Sequence, residues 1–289
     1  MTDVVIVKEP TSRKVIRTIN GILKLLYVAF IAILLYLPIF FIVVLSFNKA
    51  LSGNEFTGFT FQWYQQMFEK ERLMNAILTT LSVAGLSTII STVFGTLSAI
   101  GINSLNKKRR KSLILLNNVP ILNADIVTGI FLFIIFQTIG NLVFNINYPL
   151  GYLTLLIAHI FFSTPYVVLS VLPKLNEIDD NLYDAAVDLG CNPKEALAKV
   201  ILPSISSGIL SGAVLAFTMS IDDFTISYFV SGSEVQNLSI WIYSSSGNTR
   251  YGNIQSAYAF YSILTFVMFA VLVIYNVKKM RSNKIGGKK

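Results

Sequence analysis

Six long runs of apolar residues dominate the chain: Leu25–Phe47, Ala76–Leu105, Leu113–Ile139, Leu150–Leu172, Ser204–Val230 and Ala257–Val277. Each is long enough to cross a bilayer as a helix, which takes about 20 residues. The pattern predicts an all-α membrane protein with six transmembrane helices. The first run is too long for the apolar part of a cleaved leader and no small-residue cleavage site follows it, so it is expected to stay as an anchor. The polar segments are a basic N-terminus (1–24), a basic tail (278–289) and, between runs four and five, a charged segment with helical patterning.

That segment has its own local signals. Leu182, Ala185, Ala186 and Leu189 follow the i, i+3, i+4, i+7 spacing of one helical face. Asp179 or Asp180 can cap this helix, and Gly190 stands where a left-handed residue would end it. Asn192, Pro193 and Glu195 spell a second helix start with a capping box. Pro203 marks the beginning of the next membrane segment. The segment 179–203 is therefore expected to form a helix, a glycine turn and a helix outside the bilayer. Its small Ala-Ala-x-x-x-Gly face suits insertion into the groove of another protein.

Charge sets the orientation. Of 23 Lys and Arg, 19 lie in segments 1–24, 106–112, 173–203 and 278–289, and only Lys49, Lys70, Arg72 and Arg250 lie in the alternate loops. By the positive-inside rule this predicts N-in, C-in topology, with segment 179–203 in the cytoplasm. The net charge of +8 is thereby explained by anchors at an anionic membrane surface, including the run Lys107–Lys111, and nucleic acid is not an expected partner. Only 13% of residues are charged, against about 25% in ordinary soluble domains. One cysteine (Cys191) excludes a disulfide framework or a Cys-based zinc site. The single His159 leaves no cluster for metal or triad chemistry, and is expected to be a polar residue at a helix interface. No metal or cofactor is expected.

Three acids fall inside the runs: Asp125, Asp222 and Asp223. A charged Asp at the bilayer centre costs about 2.5–3.5 kcal/mol on insertion scales, and such residues are functional by default. No Lys or Arg lies inside any run to pair with them. On a continuous fifth helix Ala216, Ser220, Asp223 and Ser227 would share a face, with Asp222 turned about 100° away. Helix capping is the competing structural role for the two acids of run five. Small residues recur every four positions at Ser87, Ser91, Gly95 and Ala99, and at Gly208, Gly212, Ala216 and Ser220. Such stripes permit close helix contact in lipid, more often within a subunit than between subunits. Trp63, in the first outer loop, reads as an interfacial anchor that could also stack on a cation.

The stretch "DAAVDLGCNPKEALAKVILP" resembles the EAA loop of ABC-importer permeases, with Asp184-Ala185-Ala186, Gly190 and Ile201-Leu202-Pro203 in the motif positions. Asp184 replaces the usual Glu. "SIDDFTISYFVSG" (Ser220–Gly232), "LSIWIYSSS", Arg250, "WYQQMF" (Trp63–Phe68) and Asp125 before "IVTGI" are similar to the spermidine/putrescine permeases of that superfamily, whereas "YGNIQSAYAF" departs from their pattern. The resemblance implies a type I importer permease fold, with Asp184, Ala185, Ala186, Gly190 and Pro203 in a coupling helix that docks on a cytoplasmic ATPase homodimer. It further implies a second permease subunit, an extracytoplasmic polyamine-binding protein, and a cargo site at Asp125, Asp222, Asp223, Ser220 and Trp63, in a bacterial inner membrane. The chain has no G-x-x-x-x-G-K-[ST] loop, so ATP binding of that kind falls to a partner. Two alternatives stay open: a permease for a sugar, phosphate or metal chelate, and a secondary cation transporter, although no paired broken helices of the kind such transporters use are evident in the sequence.

Overall fold

In the computed structural model residues 11–50, 55–145, 149–179, 181–245 and 253–286 are described. In chain order the helices are α1 (Thr11–Ser46), α2 (Gln62–Glu69), α3 (Glu71–Asn103), α4 (Lys107–Leu122), α5 (Asp125–Phe144), α6 (Tyr152–Asn176), α7 (Leu182–Asp188) and α8 (Pro193–Ala196). A π-helical turn, Leu197–Ile201, joins α8 to α9 (Leu202–Ser204), followed by α10 (Ser206–Ile221), α11 (Thr225–Val230), α12 (Leu238–Ser245) and α13 (Asn253–Gly286). The extended pairing among the described residues is one antiparallel bridge, Asn48 with Phe59. The chain divides into two compact units, Phe68–Asn248 and a second made of Met1–Met67 with Thr249–Lys289.

The larger unit is built around α3, α6 and α10, and glycine is what lets them meet. A Cβ on Gly95 would fall 2.6 Å from the Val167 Cβ, and one on Gly212 would fall 3.1 Å from the Val167 Cα. Val167 of α6 therefore sits against bare backbone on two neighbouring helices. The small-residue stripes are buried at these contacts, so they pack within the chain, as small residues do where no hydrophobic drive separates helix from lipid. One apolar core joins Ala99, Ile102, Val167, Val171, Leu175, Ile205 and Ala216. A second joins Val83, Leu132, Leu155, Phe162, Ile226 and Val230.

In the smaller unit α1 packs on α13. Phe47, Phe59, Phe61 and Tyr64 form an aromatic cluster, with Phe47 stacked on Phe59 at a centroid distance of 5.0 Å. The Asn48 side chain ties the loop by donating to the Glu55 carbonyl at 2.7 Å and accepting from the Thr57 amide at 3.1 Å.

Among the described residues five helices are long and apolar enough to cross a membrane, over Asn20–Ser46, Glu71–Asn103, Asp125–Val143, Tyr152–Asn176 and Ile254–Val271. A sixth is possible only as a bent pair, Pro193–Ser204 with Ser206–Ile221, which turn by 70° at Ile205. Two expected spans are therefore redrawn. The third was expected to run unbroken over Leu113–Ile139. Instead α4 stops at Leu122, two residues past Pro120, and Asn123 and Ala124 are extended before Asp125 opens α5. Proline removes a backbone donor and crowds the preceding turn, so the helix ends soon after it. The fifth was expected over Ser204–Val230, but α10 stops at Ile221 and α11 starts at Thr225. Broken helices, which the sequence did not reveal, are thus a principal feature of the fold.

Pro203 leaves its own mark upstream. Having no N–H, it cannot bond the Lys199 carbonyl, and its ring would clash there. The turn before it widens, and the Leu202 amide reaches back five residues to the Leu197 carbonyl.

Candidate functional site

Both helix breaks open onto the same place. A cavity of about 400 Å³ lies in the larger unit, walled by Pro120 at the end of α4, Asp125 and Thr128 of α5, and Phe162 and Tyr166 of α6. Its remaining wall is Met219 of α10, the linker Asp222–Phe224, and Thr225 and Ile226 of α11. All three acids of the apolar runs therefore line one cavity, and among the described residues that line it none is Lys or Arg. Asp222 and Asp223 face it together because the helix ends before them, so the 100° separation expected on a continuous helix does not apply.

Two of the acids are held by helix starts, while Asp222 follows the end of α10. Asp125 is the first residue of α5, where the unsatisfied amides of the first turn favour negative charge. Asp223 caps α11: its Oδ1 accepts from the Ile226 amide at 3.3 Å, and its Oδ2 accepts from the Ser227 amide at 2.8 Å and the Ser227 hydroxyl at 2.7 Å. The competing role of helix capping is thus present at Asp223, in a residue that also faces the cavity. Asp125 and Asp222 are exposed, whereas the Asp223 side chain is only 9% exposed. The walls between the acids are largely apolar and aromatic, supplied by Phe162, Tyr166 and Phe224.

Behind this wall is a buried polar chain. His159, 1% exposed, places Nδ1 2.5 Å from the Ser220 hydroxyl and Nε2 3.0 Å from the Ser227 hydroxyl. Its Nε2 is 3.7 Å from Asp223 Oδ2. Ser220 meets Ser87 of α3 at 3.1 Å. Asn237 Nδ2 donates to the Ser227 hydroxyl at 2.9 Å and the Asp223 carbonyl at 2.8 Å. Ser220 was expected at the site itself; at 2% exposure it stands one layer behind the lining. Trp63 lies in the smaller unit, 3% exposed, with its indole N–H donating to the Asn48 carbonyl at 2.6 Å. Its ring is packed within that unit. Arg250 and Asp180 lie outside the described residues.

The charged segment folds largely as its local signals require. Gly190 has φ +93°, the Cys191 amide donates to the Ala186 carbonyl at 3.1 Å, and the Gly190 amide donates to the Val187 carbonyl at 2.9 Å. These two bonds are the paired closure of a Schellman turn. Asn192 accepts from the Glu195 amide at 2.9 Å, and Glu195 Oε2 accepts from the Asn192 amide at 3.2 Å, which is the expected capping box. That bond and the Lys199 ammonium at 3.2 Å hold the Glu195 carboxyl below the usual carboxylate range. Asp179 turns the chain, accepting from the Asn181 amide at 3.0 Å, but it does not cap α7. The expected apolar face also divides. Ala186 is buried, whereas Asp184, Ala185 and Leu189 are exposed, Leu189 at 88%.

A family described as the inner membrane component of binding-protein-dependent transport systems matches residues 91–279. The chain belongs to this family. Its matched region takes in both helix breaks, the cavity acids and the segment around Gly190, while Trp63 lies outside it. Among similar proteins, the spermidine/putrescine transport system permease protein PotC of Haemophilus influenzae is 32% identical over 210 residues, spanning 73% of this chain and 79% of that protein. The putrescine transport system permease protein PotI of Escherichia coli is 30% identical over 214 residues, spanning 73% and 75%. Among solved structures, a bacterial ABC transporter involved in the import of the acidic polysaccharide alginate shares the fold. Its TM-score is 0.70 at 17% identity, covering 93% of this chain and 99% of that one. The protein is accordingly a multi-pass membrane component of a transport system.

Within this permease family fold, the sequence reading found the three lining acids but not the lining aromatics or the residues supporting Asp223. Ser227 was noticed only as sharing a face with Asp223. Asn237 carried no signal, being an isolated amide 14 positions from its carbonyl partner. The signal for the breaks was present in Pro120 followed by Asn123, and in two adjacent acids followed four residues later by Ser227.

Proposed function

We propose that the chain is the permease subunit of an ATP-driven importer of polyamines, spermidine and putrescine, in a bacterial inner membrane. The observation that carries this reading is the gathering of Asp125, Asp222 and Asp223 around one cavity with no Lys or Arg among the described lining residues. A polyamine is a string of ammonium groups separated by methylenes. Carboxylates separated by apolar and aromatic walls match it group for group, and the aromatic faces add cation–π attraction. The PotC and PotI likenesses support the same cargo class.

In this reading the basic segments face the cytoplasm and the topology is N-in, C-in. The element from Leu182 to Ala196 docks on a separate ATPase dimer through its exposed face. Asp184, Ala185 and Leu189 are the contact residues, Ala186 and Gly190 set the turn, and Pro203 sets the wide turn before the 70° bend. A second permease chain completes the pathway, and an extracytoplasmic binding protein delivers cargo to it. Alternating access then opens the cavity acids first to one side of the membrane and then to the other.

The test replaces each acid by Asn and follows uptake of labelled spermidine and putrescine in cells with matched membrane levels, with a neutral sugar taken up by another system as control. Asp125→Asn and Asp223→Asn should lower uptake at limiting cargo by at least about tenfold, with Asp222→Asn close behind. A charge pair near 4 Å at intermediate dielectric is worth about 4 kcal/mol before desolvation, and about 1.4 kcal/mol is tenfold. Wild-type uptake in all three variants would return the acids to a structural role.

A further inference from the structure

We infer that His159 is a positioning residue for the cargo site, which feeds a one-way chain of hydrogen bonds into the Asp223 carboxylate. This rests on the reading that Asp223 meets a cation, and so carries charge when it does.

Proton counting fixes the direction of the chain. A charged carboxylate can only accept hydrogen bonds. Asp223 Oδ2, at 2.7 Å, therefore takes the single proton of the Ser227 hydroxyl. Having given that proton, Ser227 Oγ must accept from its other neighbours. Asn237 supplies one donor at 2.9 Å, and His159 Nε2, at 3.0 Å, must be the other. With Nε2 protonated, Nδ1 of the neutral ring is bare and accepts the Ser220 proton at 2.5 Å. Ser220 meets Ser87 at 3.1 Å, where the Ser87 proton is shared with the Ala84 carbonyl at 3.2 Å. From Ser220 onward every donor in the line points toward Asp223, and each hydrogen bond in such a line polarises the next.

The line also crosses the fold. Ser87 is on α3, His159 on α6, Ser220 on α10 and Ser227 on α11. Four helices thus converge on the orientation of one carboxylate, and His159 is the member that joins the Ser87–Ser220 pair to Ser227. Asp125 and Asp222 are exposed to the cavity and share none of these bonds. Asp223 is therefore the lining acid whose direction is fixed before cargo arrives. An acceptor fixed before cargo arrives lowers the ordering cost of binding, so the effect belongs in the concentration dependence of uptake.

The test uses the complete transporter in cells and measures half-saturating concentration and maximal rate for putrescine and spermidine. His159→Leu removes both ring nitrogens and should raise the half-saturating concentration about tenfold at unchanged membrane level, as loss of a hydrogen bond feeding a charged group implies. His159→Gln can donate through its amide nitrogen and accept through its oxygen, and should stay within about threefold of wild type on the same principle. Ser227→Ala breaks the line beside the carboxylate, and should match His159→Leu; it decides the matter should the leucine variant fail to reach the membrane. Wild-type half-saturation in both disrupting variants, alongside a damaged Asp223→Asn, would overturn the inference and leave the cation reading standing. A glutamine variant no better than leucine would also overturn it, because His159 would then act by packing alone. Full uptake by Asp223→Asn would remove the cation reading itself, and this inference with it.

Discussion

The chain interrupts its helices in two contrasting settings. Around Gly190 the interruption lies in a charged segment, and every group that closes it comes from within a few residues: Ala186, Val187, Asn192 and Glu195. Around Asp223 the interruption lies in an apolar run, and the closure draws on Ser227 nearby, on Asn237 fourteen residues later and on His159 more than sixty residues earlier. Water can replace a lost partner in the first setting. In the second the partners Ser227, Asn237 and His159 are buried inside the protein, where a lost partner is not readily replaced by water. A turn whose partners are local can be read from sequence, and one whose partners are tertiary cannot.

The sharpest way to break this contrast is to delete the same kind of cap in both places. Asp223→Ala removes three acceptor contacts and leaves Ser227 and its donors unsatisfied. It should cost at least about 2 kcal/mol and lower the melting temperature of the purified protein in detergent, while Asp223→Asn should keep most of the fold. Gly190→Val comes next. A branched side chain at φ +93° costs about 1–2 kcal/mol. The variant should still accumulate in the membrane but lose the link between uptake and ATP hydrolysis, measured as ATPase activity no longer stimulated by cargo-loaded binding protein. Normal uptake by it would end the coupling assignment for this turn.

Asn192→Ala should matter less, about 1 kcal/mol of local helix stability, with uptake near wild type, because water reaches the freed Glu195 amide. A result as severe as that of Asp223→Ala would erase the distinction between the two settings. The smallest effect is that of pH on the capping box. The Glu195 carboxyl is held below its ordinary range by the Asn192 amide and by Lys199, so its charged form contributes to the folded state. That contribution is fully present above the ordinary Glu range and is lost as pH falls through the lowered value. The protection of the Asn192 amide relative to its intrinsic exchange rate should fall under acid, and Glu195→Gln should flatten the response.

Residue by residue, the legible features were those with short-range causes. The helix, glycine turn and capping box at 182–196 follow from Gly190, Asn192, Pro193 and Glu195. The stripes ending at Ala99 and Ser220 face inward because small side chains admit a neighbouring backbone. The three acids stood out because charge in lipid needs a reason. The breaks beside those acids stayed hidden because the polar dips at Asn123–Asp125 and Asp222–Asp223 are short, and the apolar residues on either side of each read as one continuous span. The face of α7 divided because Ala186 meets other parts of the same unit while Leu189 does not, a distinction that identical apolar character does not encode.

Val167 and the two glycines against it have a consequence for how such proteins diversify. Side chains cannot grow at Gly95 or Gly212 without forcing backbones apart, so that block is closed to evolutionary drift. Met219 and Asp222, by contrast, line the cavity from the end of a helix and are substantially exposed. Their side chains can be exchanged without disturbing a packed layer. Selection can therefore retune what enters the cavity while the scaffold stays fixed, with Asp223 the lining residue where a change of cargo and a change of architecture would have to occur together.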